Sequence, residues 1–207
     1  RRSYDLFGTA FTGTTRDNFL HSKLIILWVV DPSVTRFGPD TVYYLGQAKK
    51  SGAKIICVDP RLNQTGKALG QQWIAVRPGT DTAMMIAMAY VMITENLYDH
   101  RFIKTCTHGF EKFADYVLGK EDGVAKTPQW AQEITGVRAE VIQTLARDYA
   151  TVKPAALIAG WAPGRSAYGE QYHRAASVLS TMSGNIGTTG GYTAGGVGRV
   201  PMGFLKE

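Results

Sequence analysis

This sequence of 207 residues contains only two cysteines, and they lie far apart. Cys57 and Cys106 form no CxxC pair, whereas iron–sulfur clusters and structural zinc sites need several closely spaced thiolate or imidazole ligands. The four histidines share no metal-ligand spacing with one another or with an acidic residue. We therefore expect both cysteines to be ordinary core thiols, and no metal site to be built from this chain alone.

Three widespread sequence signatures of catalysis or nucleotide binding are also missing. The turn over residues 30–38 has no GxGxxG and places Pro32 where a pyrophosphate needs close approach to the backbone, which disfavours a standard NAD site. Gly66 and Lys67 lack the glycine spacing and the hydroxyl residue of a phosphate-binding P-loop. No serine stands in a GxSxG nucleophile elbow. The sequence thus identifies no catalytic residue.

Long apolar runs and clusters of positive charge are scarce. The longest apolar run, Ala83 to Ile93, is far shorter than the roughly 20 residues that span a bilayer, so we expect no membrane insertion. The net charge is +6, but the basic residues are scattered and form no stripe for nucleic acid. Arg1 and Arg2 are not followed by the apolar core of an export signal, although a signal could precede Arg1 in a longer precursor.

The apolar residues form continuous, strand-like runs that alternate along the chain with segments of helical spacing. With 44% hydrophobic and 19% charged residues, the chain can bury a core. Continuous apolar runs at Leu24 to Val30, Ala53 to Val58 and Trp73 to Val76 predict buried parallel strands. Helical spacing predicts a crossover helix over Thr41 to Lys50 and a core helix over Thr82 to Asn96. The first two strands and the crossover helix form a βαβ unit.

The second half of the chain begins with a more polar segment. Residues 97–153 have helical patterns throughout, so we expect a helical insertion there. The chain returns to the sheet with a fourth apolar run, Ala155 to Gly160, and continues with a helix over Tyr168 to Ser183. The fold class is therefore α/β, with an open, mostly parallel sheet and helices on both faces.

Polar turns follow the apolar runs directly, and open parallel sheets bind their ligands at these carboxyl ends. Asp59 follows the second strand, where an acid can accept hydrogen bonds from ribose hydroxyls; an Asp-Pro turn explains it equally well. Asp81 stands in the first turn of a helix, which stabilises a carboxylate with or without a ligand. Arg61, Arg77 and Arg165 follow strand ends and could either bind phosphate or lie on the surface.

Taken in order, the turns resemble those of one enzyme family. The blocks VVDPSVTRFG, VDPRLNQTG, RPGTD, IAGWAPGR and LSTMSGNIGTTGG look like successive segments of the catalytic subunit of dimethyl sulfoxide reductases, a family of molybdopterin oxidoreductases. The resemblance runs from about Asn18 to Gly196, and VDPR followed by RPGTD at this distance is a specific signal. It implies a Rossmann-like domain, over residues 1–207, that binds a molybdopterin guanine dinucleotide.

The resemblance also implies which residues bind this cofactor, with Asp81 accepting hydrogen bonds from the guanine edge. One position departs from the family, which usually has Asn-Pro after the first strand. Asp31 replaces that amide by a carboxylate that would repel a pyrophosphate, so we expect it to face away or to meet a cation. The positions that match the cofactor loops are Asp31, Pro32, Thr35, Asp59, Pro60, Arg61, Thr65, Gly79, Asp81, Gly160, Trp161 and Arg165.

The protein that the resemblance implies is larger than this chain. Its cofactor is a molybdenum bis(molybdopterin guanine dinucleotide), and the molybdenum ligand and an iron–sulfur cluster belong to the preceding part of the catalytic subunit. It would reduce an S-oxide or N-oxide by oxygen-atom transfer, with electrons from an iron–sulfur partner subunit. A membrane anchor subunit would place the complex at the membrane or in the periplasm of a prokaryote.

Two alternatives to this function remain open at the level of sequence. Relatives that act on nitrate, formate, selenate or a hydrocarbon share the same dinucleotide loops. A Rossmann-like module could also bind a nucleotide or a protein partner without any catalysis. If the chain is part of such an enzyme, we expect its 207 residues to be inactive by themselves, because they supply only part of a cofactor site.

Overall fold

The computed structural model describes residues 14–35 and 40–192. Within them, one sheet contains the strands β1 (Leu24–Trp28), β2 (Lys54–Val58), β3 (Gln72–Ile74) and β4 (Ala155–Ala159). All pairings are parallel, and the strands lie in the order β3-β2-β1-β4. The α/β class and the open parallel sheet expected from the sequence are confirmed.

Eight α-helices connect and cover these strands in the described part of the chain. They are α1 (Thr41–Lys50), α2 (Gln64–Leu69), α3 (Asp81–Thr94), α4 (His100–Cys106), α5 (Phe110–Val117), α6 (Pro128–Thr135), α7 (Ala139–Thr151) and α8 (Glu170–Met182). The segment 97–153 contains α4 to α7, and both α6 and α7 pack against α3. Among the described helices, none combines the length and the hydropathy that a bilayer crossing needs.

Side chains alternate between the two faces of each strand and build two cores. Ile26 and Trp28 of β1 pack with residues of α3, α7 and α8 on one face. Ile25 and Leu27 pack with Leu45 of α1 on the other face. All five residues of β1 are buried, as a parallel strand covered on both faces requires. Helices therefore cover both faces of the sheet, as expected.

One strand end differs from the sequence-based expectation, and one helix start lacks a side-chain cap. β1 ends at Trp28 rather than at Val30, because Val29 has a left-handed backbone with φ 49°, which an extended strand cannot contain. Asp40 occupies the N-cap position of α1, but its side chain makes no capping hydrogen bond. It forms an ion pair with Arg16 instead, with the nitrogen and oxygen 3.0 Å apart.

The two cysteines lie in different surroundings, so the expectation of two core thiols is wrong for one of them. Cys57 is buried in β2, and burial, together with the nearby carboxylates of Asp59 and Asp31, raises the pKa of its thiol to about 11. It is therefore protonated and unreactive at neutral pH. Cys106 is exposed, because it is the last residue of α4 and that helix end faces solvent.

Candidate functional site

The strand order places a crevice between the loops that follow β1 and β4. The chain runs from β1 outward to β2 and β3, and β4 then pairs with the opposite side of β1. At such a switch point the two loops diverge and leave room for a ligand. The crevice has an empty volume of about 570 Å³, including adjoining solvent. Its walls are formed by Val29, Val30, Asp31, Pro32, Thr35, Thr41, Ala159, Gly160, Trp161 and Ala162.

Two backbone segments approach each other closely in this crevice, at Val29 and Gly160. Gly160 donates its N–H to the carbonyl oxygen of Trp28 at 2.7 Å. A Cβ atom on Gly160 would lie 1.7 Å from the carbonyl oxygen of Val29, so only glycine fits. The left-handed conformation of Val29 costs a β-branched residue about 1–3 kcal/mol, and such strained residues gather at ligand sites.

Thr65 links the loop after β1 to the loop after β2. Its hydroxyl donates to Asp31 Oδ1 at 2.6 Å, and its backbone N–H donates to the same oxygen at 3.2 Å. The backbone N–H of Ser33 donates to the Thr65 hydroxyl at 3.1 Å. Asp31 thus stabilises the start of α2, where N–H groups are otherwise unpaired. The hydroxyl and the N–H of Thr65 are thus the hydrogen-bond donors to the Asp31 carboxylate. Thr65 is fully buried and joins the two loops without being part of the crevice lining.

Asp59 lies directly after β2, with its carboxylate turned into its own loop. Oδ1 accepts from the backbone N–H of Arg61 at 3.0 Å, and Oδ2 accepts from Asn63 Nδ2 at 2.9 Å. The side chain is buried, with only 8% of the residue exposed. The carboxylate therefore faces its own loop and is not part of the lining of the crevice between β1 and β4. The reason is the short spacing in the turn, which lets an aspartate bond to the N–H two residues later.

Asp81 is the first residue of α3, and its carboxylate accepts a hydrogen bond from Trp28, a contact that the sequence does not predict. The indole Nε1 of Trp28, at the end of β1, donates to Asp81 Oδ1 at 2.9 Å. Burial raises the pKa of this carboxyl, while the bond from Trp28 and the backbone N–H of Asp81 act in the opposite direction. The preceding turn contains Gly79 with φ 78°, a conformation that favours glycine.

The three candidate arginines have different environments. Arg61 and Arg165 are exposed after β2 and after β4, respectively. Arg77 donates through Nη1 to the carbonyl oxygens of Glu133 and Ile134, at 3.3 and 2.6 Å. These carbonyls belong to the last turn of α6, so Arg77 neutralises a helix C-terminus. Of the two interpretations left open for Arg77, the geometry favours the structural one.

The expected cofactor residues thus fall into two groups. Those that line the crevice are Asp31, Pro32, Thr35, Gly160 and Trp161. Those outside its lining are Asp59, Pro60, Arg61, Thr65, Gly79, Asp81 and Arg165. Sequence reasoning did not identify Thr41, which lines the crevice, or Trp28, which contacts Asp81. In the described residues there is no group of three or more His, Cys, Asp or Glu side chains that could hold a metal ion.

Comparisons with known proteins agree with the resemblance of the loops. The molybdopterin oxidoreductase family profile matches residues 2–199. The dimethyl sulfoxide reductase DmsA of Escherichia coli is 40% identical over 97% of this chain and 26% of its own length. The corresponding protein of Haemophilus influenzae is 43% identical over 84% of this chain and 23% of its own. The trimethylamine-N-oxide reductase of the same species is 36% identical over 89% of this chain and 24% of its own.

Among solved structures, the acetylene hydratase of Pelobacter acetylenicus has the same fold. It superposes with a TM-score of 0.63 at 23% identity, over 88% of this chain and 22% of that protein. The chain therefore spans about a quarter of the length of the relatives that it matches. Because the family profile covers nearly all of the sequence, the chain belongs to the molybdopterin oxidoreductase family.

Proposed function

We propose that this chain is the part of a molybdenum-dependent catalytic subunit that holds one molybdopterin guanine dinucleotide, and that the whole protein reduces an S-oxide or N-oxide. The observation that carries the proposal is the crevice at the switch point between β1 and β4. Ligands of open α/β sheets bind in such crevices. The names of the relatives, dimethyl sulfoxide and trimethylamine-N-oxide reductases, support the substrate class.

The residues around the crevice fit an extended nucleotide. Gly160 carries no side chain where the two backbones meet, and Trp161 presents an exposed indole beside it. Trp161 can therefore stack on a flat ring, and the polar loop after β1 can bind the more hydrophilic groups. In the bound state, the cofactor's molybdenum supplies the oxygen-atom and electron transfer. This part of the protein then acts by binding and orienting the cofactor.

Guanine recognition is assigned to Asp81. Guanine presents an N–H and an NH₂ side by side, and an ionised carboxylate accepts both, whereas adenine has no such pair. Oδ1 already accepts from Trp28 and only 2% of Asp81 is exposed, so contact with guanine requires the turn before α3 to open; the remaining lone pairs of the carboxylate can then accept from guanine. The indole also fixes the orientation of the carboxylate, which lowers the entropy lost when guanine binds.

Asp59 is assigned a positioning role in this proposal rather than direct contact with a ribose. Both of its carboxylate oxygens accept hydrogen bonds within the loop after β2, and the side chain is buried. Asp59 thereby fixes the backbone of Arg61, whose side chain is exposed and free to reach a phosphate. The other oxygen of Asp59, Oδ2, accepts from the side chain of Asn63, and Asn63 also caps the start of α2.

The rest of the proposal concerns the assembly. The remainder of the catalytic subunit would complete the site for the second dinucleotide and supply the molybdenum ligand. An iron–sulfur subunit would deliver electrons, and an anchor subunit would hold the complex at the membrane or on its periplasmic side. This chain offers no cluster of cysteines for the electron path, because it has only Cys57 and Cys106.

The test is to purify the full-length protein that contains this chain and to measure two quantities. The first is the GMP released by acid hydrolysis, which reports the guanine dinucleotide. The second is the rate of dimethyl sulfoxide and trimethylamine-N-oxide reduction by a reduced viologen dye, compared with nitrate and selenate. We expect GMP and S-oxide or N-oxide reduction. Reduction of nitrate or selenate alone would contradict the substrate class, and absence of both GMP and activity would favour a non-catalytic binding module.

A further inference from the structure

We propose that Thr41 and the first turn of α1 bind the phosphate groups of the dinucleotide, an assignment that rests on the function proposed above. Thr41 lines the crevice between β1 and β4 and is almost completely buried, with 2% of the residue exposed. Its hydroxyl oxygen nevertheless has no hydrogen-bond partner within the described part of the chain. Because buried hydroxyl groups are nearly always paired, an unpaired one in a ligand crevice indicates a missing partner.

The helix that begins at Thr41 strengthens this assignment. α1 has ten residues, and its first turn receives no capping hydrogen bond from the Asp40 side chain. The first backbone bond of the helix runs from Tyr44 to the carbonyl oxygen of Asp40. The amide groups of the preceding residues point out of the helix end, where the helix dipole favours negative charge. Phosphate oxygens match this set of donors, because they accept from backbone N–H groups and from a hydroxyl together.

Two carboxylates lie close to this helix end, and each has its own cationic or N–H partner. Asp40 Oδ1 lies 3.0 Å from Arg16 Nη1 in an ion pair, although this oxygen makes no hydrogen bond within the described residues. Asp31 accepts from both the N–H and the hydroxyl of Thr65. The Arg16 contact offsets the negative charge of Asp40, whereas Asp31 keeps its charge, so the phosphates would lie at the α1 end of the crevice.

The substitution that tests the assignment is Thr41→Val, which removes the hydroxyl and keeps the shape of the side chain. The matched control is Thr144→Val on α7, where an exposed threonine hydroxyl donates only to the carbonyl of Glu140. Both variants are made in the full-length protein that contains this chain, prepared without cofactor. The probes are GDP, which carries two phosphates, and guanosine, which carries none.

We expect wild-type protein to bind GDP more tightly than guanosine. Thr41→Val should reduce the affinity for GDP by roughly tenfold or more, the effect of one hydrogen bond to a charged group, and leave guanosine binding unchanged. The same variant should unfold at a temperature equal to or above that of the wild type, because an unpaired buried hydroxyl is replaced by a methyl group. Thr144→Val should change neither affinity.

Each other outcome has a definite meaning. An unchanged preference for GDP in Thr41→Val overturns the assignment. A wild-type protein that does not prefer GDP over guanosine also overturns it. In either case, guanosine binding that depends on Asp81 leaves the proposed function standing. Absence of binding for both probes would contradict the assignment and the proposed function together.

Discussion

Trp28 and Asp81 are joined by a buried hydrogen bond of 2.9 Å between the ends of two elements that are 53 residues apart in sequence. The indole belongs to the last residue of β1, and the carboxylate belongs to the first residue of α3. Tyr172 of α8 donates its hydroxyl to the carbonyl oxygen of the same Trp28 at 3.0 Å. The C-terminal end of β1 is therefore fixed by two helices, and the carboxylate proposed to recognise guanine has a defined orientation.

The first prediction concerns Asp81→Asn. Asparagine places an amide donor against the N–H and NH₂ of guanine, so the preference for guanine over adenine nucleotides should fall by about 1–3 kcal/mol. Titration of the cofactor-free full-length protein with GDP and ADP measures this preference. Trp28→Phe, which leaves the carboxylate but removes its donor, should lower the affinity for GDP less than Asp81→Asn does. Unchanged selectivity in Asp81→Asn would leave Asp81 as a helix-capping residue only.

The second prediction is a pH dependence of stability that Asp81 causes. Its pKa is raised in the folded state, mainly by burial, so the folded protein binds more protons than the unfolded chain in the range above 3.8. The contribution of Asp81 to stability is thus largest at low pH and is lost as the pH rises through the folded-state pKa. Urea unfolding of wild type and Asp81→Asn from pH 3.5 to pH 8 measures this contribution. We expect Asp81→Asn to gain stability relative to wild type as the pH rises, and a constant difference would contradict this account.

The third prediction concerns the close approach of β1 and β4. Gly160→Ala places a Cβ atom 1.7 Å from the carbonyl oxygen of Val29, which forces the strands apart. We expect a loss of about 2–4 kcal/mol in the free energy of unfolding, together with loss of cofactor. Gly46→Ala is the matched control, since a Cβ atom there meets nothing within 4 Å in the middle of α1. It should stabilise the helix by up to about 1 kcal/mol, as measured by urea unfolding.

The fourth prediction concerns the link between the two loops. Thr65→Val removes the hydroxyl that bonds to Asp31 and Ser33 and should cost about 1–3 kcal/mol of stability. Asp31→Asn should cost less than about 1 kcal/mol, because the amide oxygen can still accept from Thr65. Differential scanning calorimetry measures both changes. A larger loss in Asp31→Asn than in Thr65→Val would show that the charge of Asp31 matters more than its hydrogen bonds.

Most of the fold could be predicted from the sequence, because its main signals are local. The continuous apolar runs identified β1, β2 and β4, and helical spacing identified α1 and α3. The start of α6 is a local signal of the same kind, since Pro128 is its first residue and the Thr127 hydroxyl accepts from the backbone N–H of Trp130 at 3.1 Å. Helix capping and hydrophobic periodicity depend only on residues that are close in sequence, so they can be predicted without the structure.

The candidate site was less predictable, because its geometry depends on contacts between distant residues. Nothing near Asp81 in the sequence points to Trp28, and nothing near Asp31 points to Thr65. The left-handed conformation of Val29 is also unexpected, since a β-branched residue in an apolar run is typical of an extended strand. These features arise because the strand ends pack against helices that are distant in sequence. Local sequence patterns cannot predict such contacts.

The most direct test of the central claim is a crystal structure of the full-length protein that contains this chain, with its cofactor bound. We predict electron density for a guanine dinucleotide that extends from the crevice between β1 and β4, where its phosphates lie at the start of α1 beside Thr41, to Asp81 outside the crevice lining, where its guanine ring lies. A dinucleotide bound elsewhere, with this crevice filled by other protein side chains, would contradict the account.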